Sequence, residues 1–552
     1  MLFRLRRNGI FLILGVTILG TILLGLRLLL LPLDNKQMHS QPAINPTSKI
    51  VIDENAQTGT NGWKIPANDE ASIQIQAYAD ATSVWPGQTL TFYVSTLNQA
   101  TVYSLDIYRL GWYGGLGGRL MLSIPKQIGA AQGYYDAKSH QLVNCSSCYI
   151  DKQTGLVEAN WHPSIILKVP ADWITGVYQA KFTDAQGMET SVPFDVRGDT
   201  NSLYVAVTSD TTYAAYNDWG GYSLYDFNSL EINGVGRGVK VSFDRPYSPG
   251  YGSAYVLNFE ADAIHWLERQ GYDISYMSSV DLHQDPNQLL QHRAYLSLGH
   301  DEYWTKEMRD GVEHARNLGI GLAFLGANAS YWQMRFEPNS AGVPDRTIVC
   351  YKVESQHHDL ARDPFYGRDN ARLTSLWRDP VLARPENALI GVMYSEFTSR
   401  QRGFPWQVDA MAKLPLLDGT GLQAGQQYGC DLVGYEWDRV FNNGATPAGL
   451  QVLGTSQTVD DNNNRDISNT TYYVAQSGAI VFATGSTYWT SALDDYRYST
   501  DEMCDHHDSA VPGIQKLMAH VMAALLINHH SGADKLLILY REALLPQMDI
   551  SN

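Results

Sequence analysis

The sequence predicts a membrane-tethered chain in which an immunoglobulin-like β-sandwich precedes a doubly wound α/β domain. Three observations carry that reading. An apolar run from Asn8 to Leu33 follows Arg4, Arg6 and Arg7. Between Ala71 and Arg197, short segments alternate apolar and polar residues with period two. Beyond Arg197-Gly-Asp the pattern changes to buried strands alternating with amphipathic helices, which is how parallel sheets with crossover helices read.

The N-terminal run is longer than a signal-peptide core and approaches the roughly 20 residues that span a bilayer. No small-x-small cleavage site follows in Leu33-Asp-Asn-Lys-Gln-Met38. Residues 1–34 therefore read as a signal anchor, with Arg27 snorkelling toward one end. The positive-inside rule leaves the N-terminus in the cytoplasm and the bulk of the chain in the periplasm or at the cell surface. Residues 35–68 are polar and rich in turn formers, a linker off the membrane.

Residues 69–197 hold the sandwich. Its expected strands include Ser72–Ala77, Thr89–Val94, Tyr103–Tyr108, Ser164–Val169, Gly176–Phe182 and Ser191–Val196. Cys145 and Cys148 lie in one loop, and outside the cytoplasm a local disulfide is the expectation. The other cysteines, Cys350, Cys430 and Cys504, are isolated in the sequence.

Residues 198–552 hold the α/β domain. Leu203–Thr208 reads as a buried strand, Asn258–Gln270 as a helix, Asp273–Tyr276 as a strand and Leu282–His292 as helical. Ala294–Leu298 is the next strand. Thr305 is a good N-cap for a helix carrying Met308, Val312, Ala315 and Leu318 up to Gly319, and Gly321–Leu325 follows as a strand. From about 340 to 476 the segments are short and strand-like (Ile348–Tyr351, Leu389–Met393, Leu432–Trp437, Leu450–Gly454, Thr471–Ala475), which predicts a β-rich insertion. The α/β pattern returns with the strand Gly478–Gly485 and a closing helix, Gly513–Ile527.

The formal charge of −17 excludes a nucleic-acid partner, whose phosphates require a concentrated basic surface. The 33 tyrosines point to surfaces that are both apolar and hydrogen-bonding. Four strand-end loops each carry a tyrosine and a tryptophan: Ser209–Gly221, Gly299-His-Asp-Glu-Tyr-Trp304, Gly326-Ala-Asn-Ala-Ser-Tyr-Trp332 and Gly485-Ser-Thr-Tyr-Trp489. If their strands are parallel, the loops gather at one edge, where α/β sheets bind ligands. Trp219, Trp304, Tyr331, Trp332, Tyr488 and Trp489 are then the candidate cleft walls. Asp210, His300, Glu302 and Asn328 are the candidate catalytic groups.

His300 with its adjacent carboxylates is suited to acid–base work or to binding a metal, and Tyr303 is suited to a hard cation as phenolate. No serine or cysteine stands at the sharp strand-to-helix turn. The motifs Cys504-Asp-His-His-Asp508, His357-His-Asp359 and His529-His530 read as solvated loops. Asp460–Asp466 does not fit a calcium loop.

Taken together, Tyr108-Arg-Leu-Gly-Trp-Tyr-Gly-Gly115, Trp173-Ile-Thr-Gly-Val-Tyr178, Tyr213–Gly221, Ser242-Phe-Asp-Arg-Pro-Tyr247, Gly299–Trp304 and Gly434-Tyr-Glu-Trp-Asp438 resemble the N,N-dimethylformamidase large-subunit family over about residues 70–530. The resemblance implies that the α/β part is similar to a class I glutamine amidotransferase domain without its cysteine. It implies hydrolysis of a formamide C–N bond at a mononuclear ferric iron (Fe3+) held by two tyrosines and one glutamate, and a separate small partner subunit. Tyr303 matches one tyrosine ligand. Tyr216, Tyr213, Tyr255 and Tyr272 are open for the second, and Glu436, Glu354 and Glu302 for the glutamate.

The expected function is metal-assisted hydrolysis of an amide or other C–N bond in a small molecule. The alternative is a non-catalytic cell-envelope module that stacks glycans on its Tyr-Trp loops. A homo-oligomer is an expectation alongside the small subunit.

Overall fold

Two antiparallel sheets, of three and five strands, share one apolar core in the N-terminal half. The computed structural model describes residues 44–198, 201–231, 236–399, 402–412, 414–495 and 510–527. The anchor expected over residues 1–34 lies outside them, and among the described residues no helix is long and apolar enough to cross a membrane. Within the stretch expected to be linker, Lys49–Asn55 is helical and Trp63 is fully buried.

The three-stranded sheet pairs Ile75–Ala79, Thr89–Thr96 and Ile165–Lys168. The five-stranded sheet runs in the order Ser83–Val84, Glu189–Val196, Gly176–Asp184, Val102–Leu110, Gly118–Ile128, parallel only at its short first pair. Period-two alternation turns Leu90, Phe92 and Val94 inward, where Phe92 meets Phe182 and Phe194 edge to face. Cys145 and Cys148 form the local disulfide.

The C-terminal half is built on a seven-stranded sheet in the order Ile274–Ser278, Tyr204–Thr208, Ala294–Leu298, Gly321–Leu325, Ile480–Ala483, Arg465–Val474, Gln451–Val459. The first five strands are parallel and the last two antiparallel. The four strands from Tyr204 to Leu325 are buried along their whole length, as continuous apolar runs require when helices cover both faces.

The structure departs from the sequence reading at four points. Strands Gln451–Val459 and Arg465–Val474 join the central sheet although they fall in the expected insertion; an antiparallel hairpin gives the same short alternation whether it extends a sheet or stands apart. The helix expected over 258–270 is two helices, Ser253–Phe259 and Ala261–Arg269, which meet at a fully buried Glu260. Leu389, expected in a strand, sits in the short helix Asn387–Ile390, and the strand begins at Met393. The helix after Thr305 runs Lys306–Asn317, capped by the Thr305 hydroxyl accepting from Met308 N at 3.2 Å. Leu318, expected on its buried face, is 57% exposed. Cys430 is disulfide-bonded, and Cys350 is a buried free thiol.

Candidate functional site

Because their strands are parallel members of one sheet, the loops after Tyr204–Thr208, Ala294–Leu298, Gly321–Leu325 and Ile480–Ala483 leave the sheet at the same end. The first continues as the helix Asp210–Tyr216, whose threonines clamp the second: Thr212 Oγ1 accepts from Glu302 N at 3.0 Å, and Thr211 Oγ1 donates to the Tyr303 carbonyl at 2.8 Å. The second and third loops touch through their backbones, with Ser330 N donating to the Asp301 carbonyl at 2.8 Å and Tyr331 N to the Glu302 carbonyl at 2.9 Å. A Cβ on Gly326 would stand 2.0 Å from the Gly299 carbonyl oxygen, so only glycine fits there.

This scaffold converges on one carboxylate. Glu302 Oε2 accepts from Tyr216 Oη at 2.9 Å and from Tyr225 Oη at 2.6 Å, and the two rings stack with centroids 4.0 Å apart. His300 Nε2 lies 3.5 Å from the same oxygen and 2.8 Å from Glu436 Oε2. His300 Nδ1 is 3.2 Å from Tyr435 Oη, so a proton on Nε2 facing Glu436, with Nδ1 accepting from Tyr435, satisfies both contacts. Asn328, held at a φ of 56°, takes Asp438 Oδ1 on its backbone N–H at 2.8 Å and gives Nδ2 to Glu436 Oε2 at 3.1 Å.

Electrostatically the cluster is a set of protons held against ionisation. Burial first, and the Glu302 charge second, keep the Tyr216 and Tyr225 phenols well above their ordinary value. Burial raises the Glu302 carboxyl; His300 opposes the shift and Glu436 adds to it. Burial also lifts Asp438 to about 7.

The cluster forms one wall of a cleft of about 670 Å3, with His300 and Asp438 buried behind its lining. Tyr216, Glu302, Asn328, Tyr331, Trp332 and Glu436 face it, as the sequence reading placed them. So do Tyr225, Lys352, Tyr394 and Tyr435, which it did not name as site residues. Tyr435 could have been found beside Glu436 in its motif, whereas Tyr225 and Lys352 carry no local signal. The Lys352 ammonium rests 3.5 Å from the Tyr225 ring centroid, and burial lowers its pKa to about 8 despite the Glu302 charge.

Other expected site residues are elsewhere. Trp219, Trp304 and Trp489 are fully buried packing residues rather than cleft walls. Trp219 Nε1 donates to Gln76 Oε1 at 2.9 Å and its ring meets Trp161; Trp304 packs against Phe324; Trp489 packs against Trp406 and Phe482. Tyr488 is half-buried beside Tyr435, one layer behind the cleft. Asp210 lies beneath the site, where its carboxylate accepts from Thr208 Oγ1 at 2.8 Å.

Tyr303 pairs with Trp332 in a separate short sheet. Its buried hydroxyl lies beside Tyr225 and within electrostatic reach of Glu302, and the Tyr225 and Tyr303 ring centroids are 6.3 Å apart. Among the described residues no group of three or more His, Cys, Asp and Glu side chains is arranged to hold a metal ion. The set that converges on one point is instead two phenols and a carboxylate. Hard trivalent cations favour oxygen donors of this kind.

Residues 104–505 match the family described as N,N-dimethylformamidase beta subunit-like, C-terminal. The N,N-dimethylformamidase beta subunit of Paracoccus aminophilus is 25% identical over 323 residues, 51% of this chain and 41% of that one. The corresponding subunit of Alcaligenes sp is 23% identical over 421 residues, 63% and 54% of the two chains. The chain thus spans about half the length of the curated relatives it matches. Among solved structures, a cycloisomaltooligosaccharide glucanotransferase of Paenibacillus sp. in complex with cycloisomaltoheptaose shares 10% identity over 48% of this chain and 56% of that one. Its TM-score of 0.16 carries no argument.

Proposed function

The chain belongs to the N,N-dimethylformamidase beta subunit-like family, and on that premise we propose that it hydrolyses an amide C–N bond at the cluster centred on Glu302. The observation that carries the reading is the meeting of Tyr216 Oη, Tyr225 Oη and His300 Nε2 around one Glu302 oxygen, at the wall of a cleft. Two phenols and a carboxylate fit a ferric ion. We assign the donor set to Tyr216, Tyr225 and Glu302 in place of Tyr303 and Glu436. Such an ion, when bound, acts as a Lewis acid on a carbonyl and lowers the pKa of water.

The chain's own groups account for the rest of the chemistry. Glu436 faces the cleft beside His300 and is placed to take a proton from a water molecule attacking the carbonyl carbon. The same proton, returned to the amide nitrogen, lets the C–N bond break and the amine leave. Asn328 Nδ2, at 3.1 Å from Glu436, holds that carboxylate in place and stands at the cleft wall, where it can orient the carbonyl. Burial of the cluster excludes bulk water and strengthens each of these contacts.

Purified protein is expected to carry close to one iron per chain and a visible phenolate-to-metal absorption band, and to release formate from a formamide. Tyr225→Phe should remove most of the band and lower kcat by about 100-fold or more. A protein that binds no metal after reconstitution, and whose formate release Tyr225→Phe leaves intact, would sink the reading. The alternative of a glycan-binding module draws on tryptophan faces open to a sugar; Trp219, Trp304 and Trp489 are buried in packing, and Trp332 with Tyr331 stands at the cleft wall.

A further inference from the structure

The size of the cleft, its walls and its one cation together speak to the substrate. At about 670 Å3 the cleft falls within the range of roughly 300–1,000 Å3 that holds drug-sized ligands. A molecule the size of dimethylformamide fills on the order of 150 Å3, at about 30 Å3 for each small heavy-atom group. Most of the cleft lies beyond the space such a molecule takes.

What fills the remainder is constrained by the walls. Tyr331 and Tyr394 meet at 5.0 Å in a T-shaped pair, Tyr331 and Trp332 at 5.3 Å, and Phe227 and Phe397 stand exposed where they line the cleft. Aromatic faces and edges of this kind receive a planar apolar body. Lys352 is the one basic residue among the described residues of the lining.

Lys352 as a residue is only 7% exposed, and its ammonium lies 3.5 Å from the Tyr225 centroid, 5.1 Å from that of Trp332 and 5.4 Å from that of Tyr303. The backbone delivers it at a φ of 50°, a left-handed conformation that a lysine rarely adopts. Aromatic faces satisfy its charge in part, but they are not hydrogen-bond acceptors of ordinary strength. Among the described residues no side chain makes a direct ion pair or hydrogen bond with it, so its N–H donors are available to the cleft. A chain of net charge −17 draws no anion from a distance, so attraction for one has to come from this single buried cation.

We propose that the cleft takes an amide of intermediate size bearing a carboxylate, an N-acyl amino acid in type, with the Lys352 ammonium as the carboxylate subsite and Tyr331, Trp332 and Tyr394 as walls for its apolar body. The amide part of this statement rests on the hydrolase reading above; the carboxylate subsite does not. Hydrolysis of such a substrate adds water across the C–N bond. The hydroxyl oxygen goes to the acyl carbon and the proton to the departing amino group.

Titration calorimetry of the full chain with N-formyl-L-phenylalanine and with its methyl ester tests the subsite without requiring turnover. The acid is expected to bind about tenfold tighter than the ester. Lys352→Met should abolish the difference between acid and ester, and Lys352→Arg should retain part of it. Equal affinity for acid and ester, a preference that survives in Lys352→Met, or no binding of the acid at millimolar concentration overturns the proposal.

Formate release measured on the same samples separates the two readings. Acid bound through Lys352 with no formate released removes the hydrolase and leaves the subsite. Formate released equally well from acid and ester removes the subsite and leaves the hydrolase.

Discussion

At the scale of single residues, the site depends on backbone contacts as much as on its functional groups. Gly326 is the clearest case, because its missing side chain is what lets the loops bearing Glu302 and Asn328 lie against each other. Gly326→Ala is expected to lower stability by about 2 kcal/mol or more, through a clash with the Gly299 carbonyl that no side-chain rotation relieves. Activity should fall further than stability, since the two loops would separate; thermal melting and formate release on one sample compare the two. His300, Glu302 and Asn328 were legible in the sequence because each stands in a polar motif that follows an apolar run, whereas Tyr216 and Glu436 were alternatives that the family resemblance left open. The tryptophans misled because residue type does not distinguish a ring that lines a cleft from one that fills a core; Trp304 and Trp332 follow identical tyrosines, yet only the second reaches the cleft. Tyr225 and Lys352 were invisible because neither belongs to a repeated pattern, and only the fold brings them to Glu302.

At the scale of elements, the joint between the sandwich strand Glu189–Val196 and the central strand Tyr204–Thr208 is set by a shared hydroxyl. Thr208 Oγ1 lies 2.8 Å from both Asp195 Oδ2 and Asp210 Oδ2 and has one proton to give, so one carboxyl of the pair has to carry a proton itself. Burial raises Asp210 to about 7 and pushes Asp195 up in the same direction. A carboxyl raised in the folded state binds its proton more tightly there than in the unfolded chain. Its stabilisation is therefore complete below about pH 4 and is lost as pH rises through about 7. Asp210→Asn should remove much of that slope, so the variant gains stability relative to the parent on going from pH 5 to pH 8, by on the order of 2 kcal/mol. Denaturant melts at the two pH values check the sign. The strands themselves were readable because continuous apolar runs such as Ala294–Leu298 and Gly321–Leu325 are what burial on both faces demands. Gln451–Val459 and Arg465–Val474 were not assigned to the same sheet, because alternation records exposure and not which strand lies alongside.

At the scale of the whole molecule, one buried ion pair joins three parts of the chain. Arg109, on the sandwich strand Val102–Leu110, makes a two-pronged contact with Glu268, on the helix Ala261–Arg269, at 2.7 and 3.0 Å. Asn55, at the end of the helix Lys49–Asn55, donates to the same carboxylate at 2.5 Å. Both charged side chains are wholly shielded from solvent. Breaking such a pair from one side strands a buried charge at a cost of about 3–5 kcal/mol. Glu268→Gln is accordingly expected to lower the melting temperature of the protein as one transition, with no separate early melting of the sandwich. Scanning calorimetry would show two resolved peaks if the halves were independent.

The gathering of four loops at one end of a parallel sheet has a consequence for how this protein can change. The loop roots are pinned, Gly299 against Gly326 and Glu302 N on Thr212, while at the cleft mouth Phe227, in the short helical turn Asp226–Asn228, and Phe397, at the end of the strand Met393–Phe397, project at 69% and 47% exposure. Mutational tolerance therefore rises from the loop roots toward the cleft mouth. Libraries confined to positions 227 and 397 can explore new acyl or amine groups while the sheet and the Glu302 cluster stay as they are, so selectivity is free to drift on a reacting centre that is not.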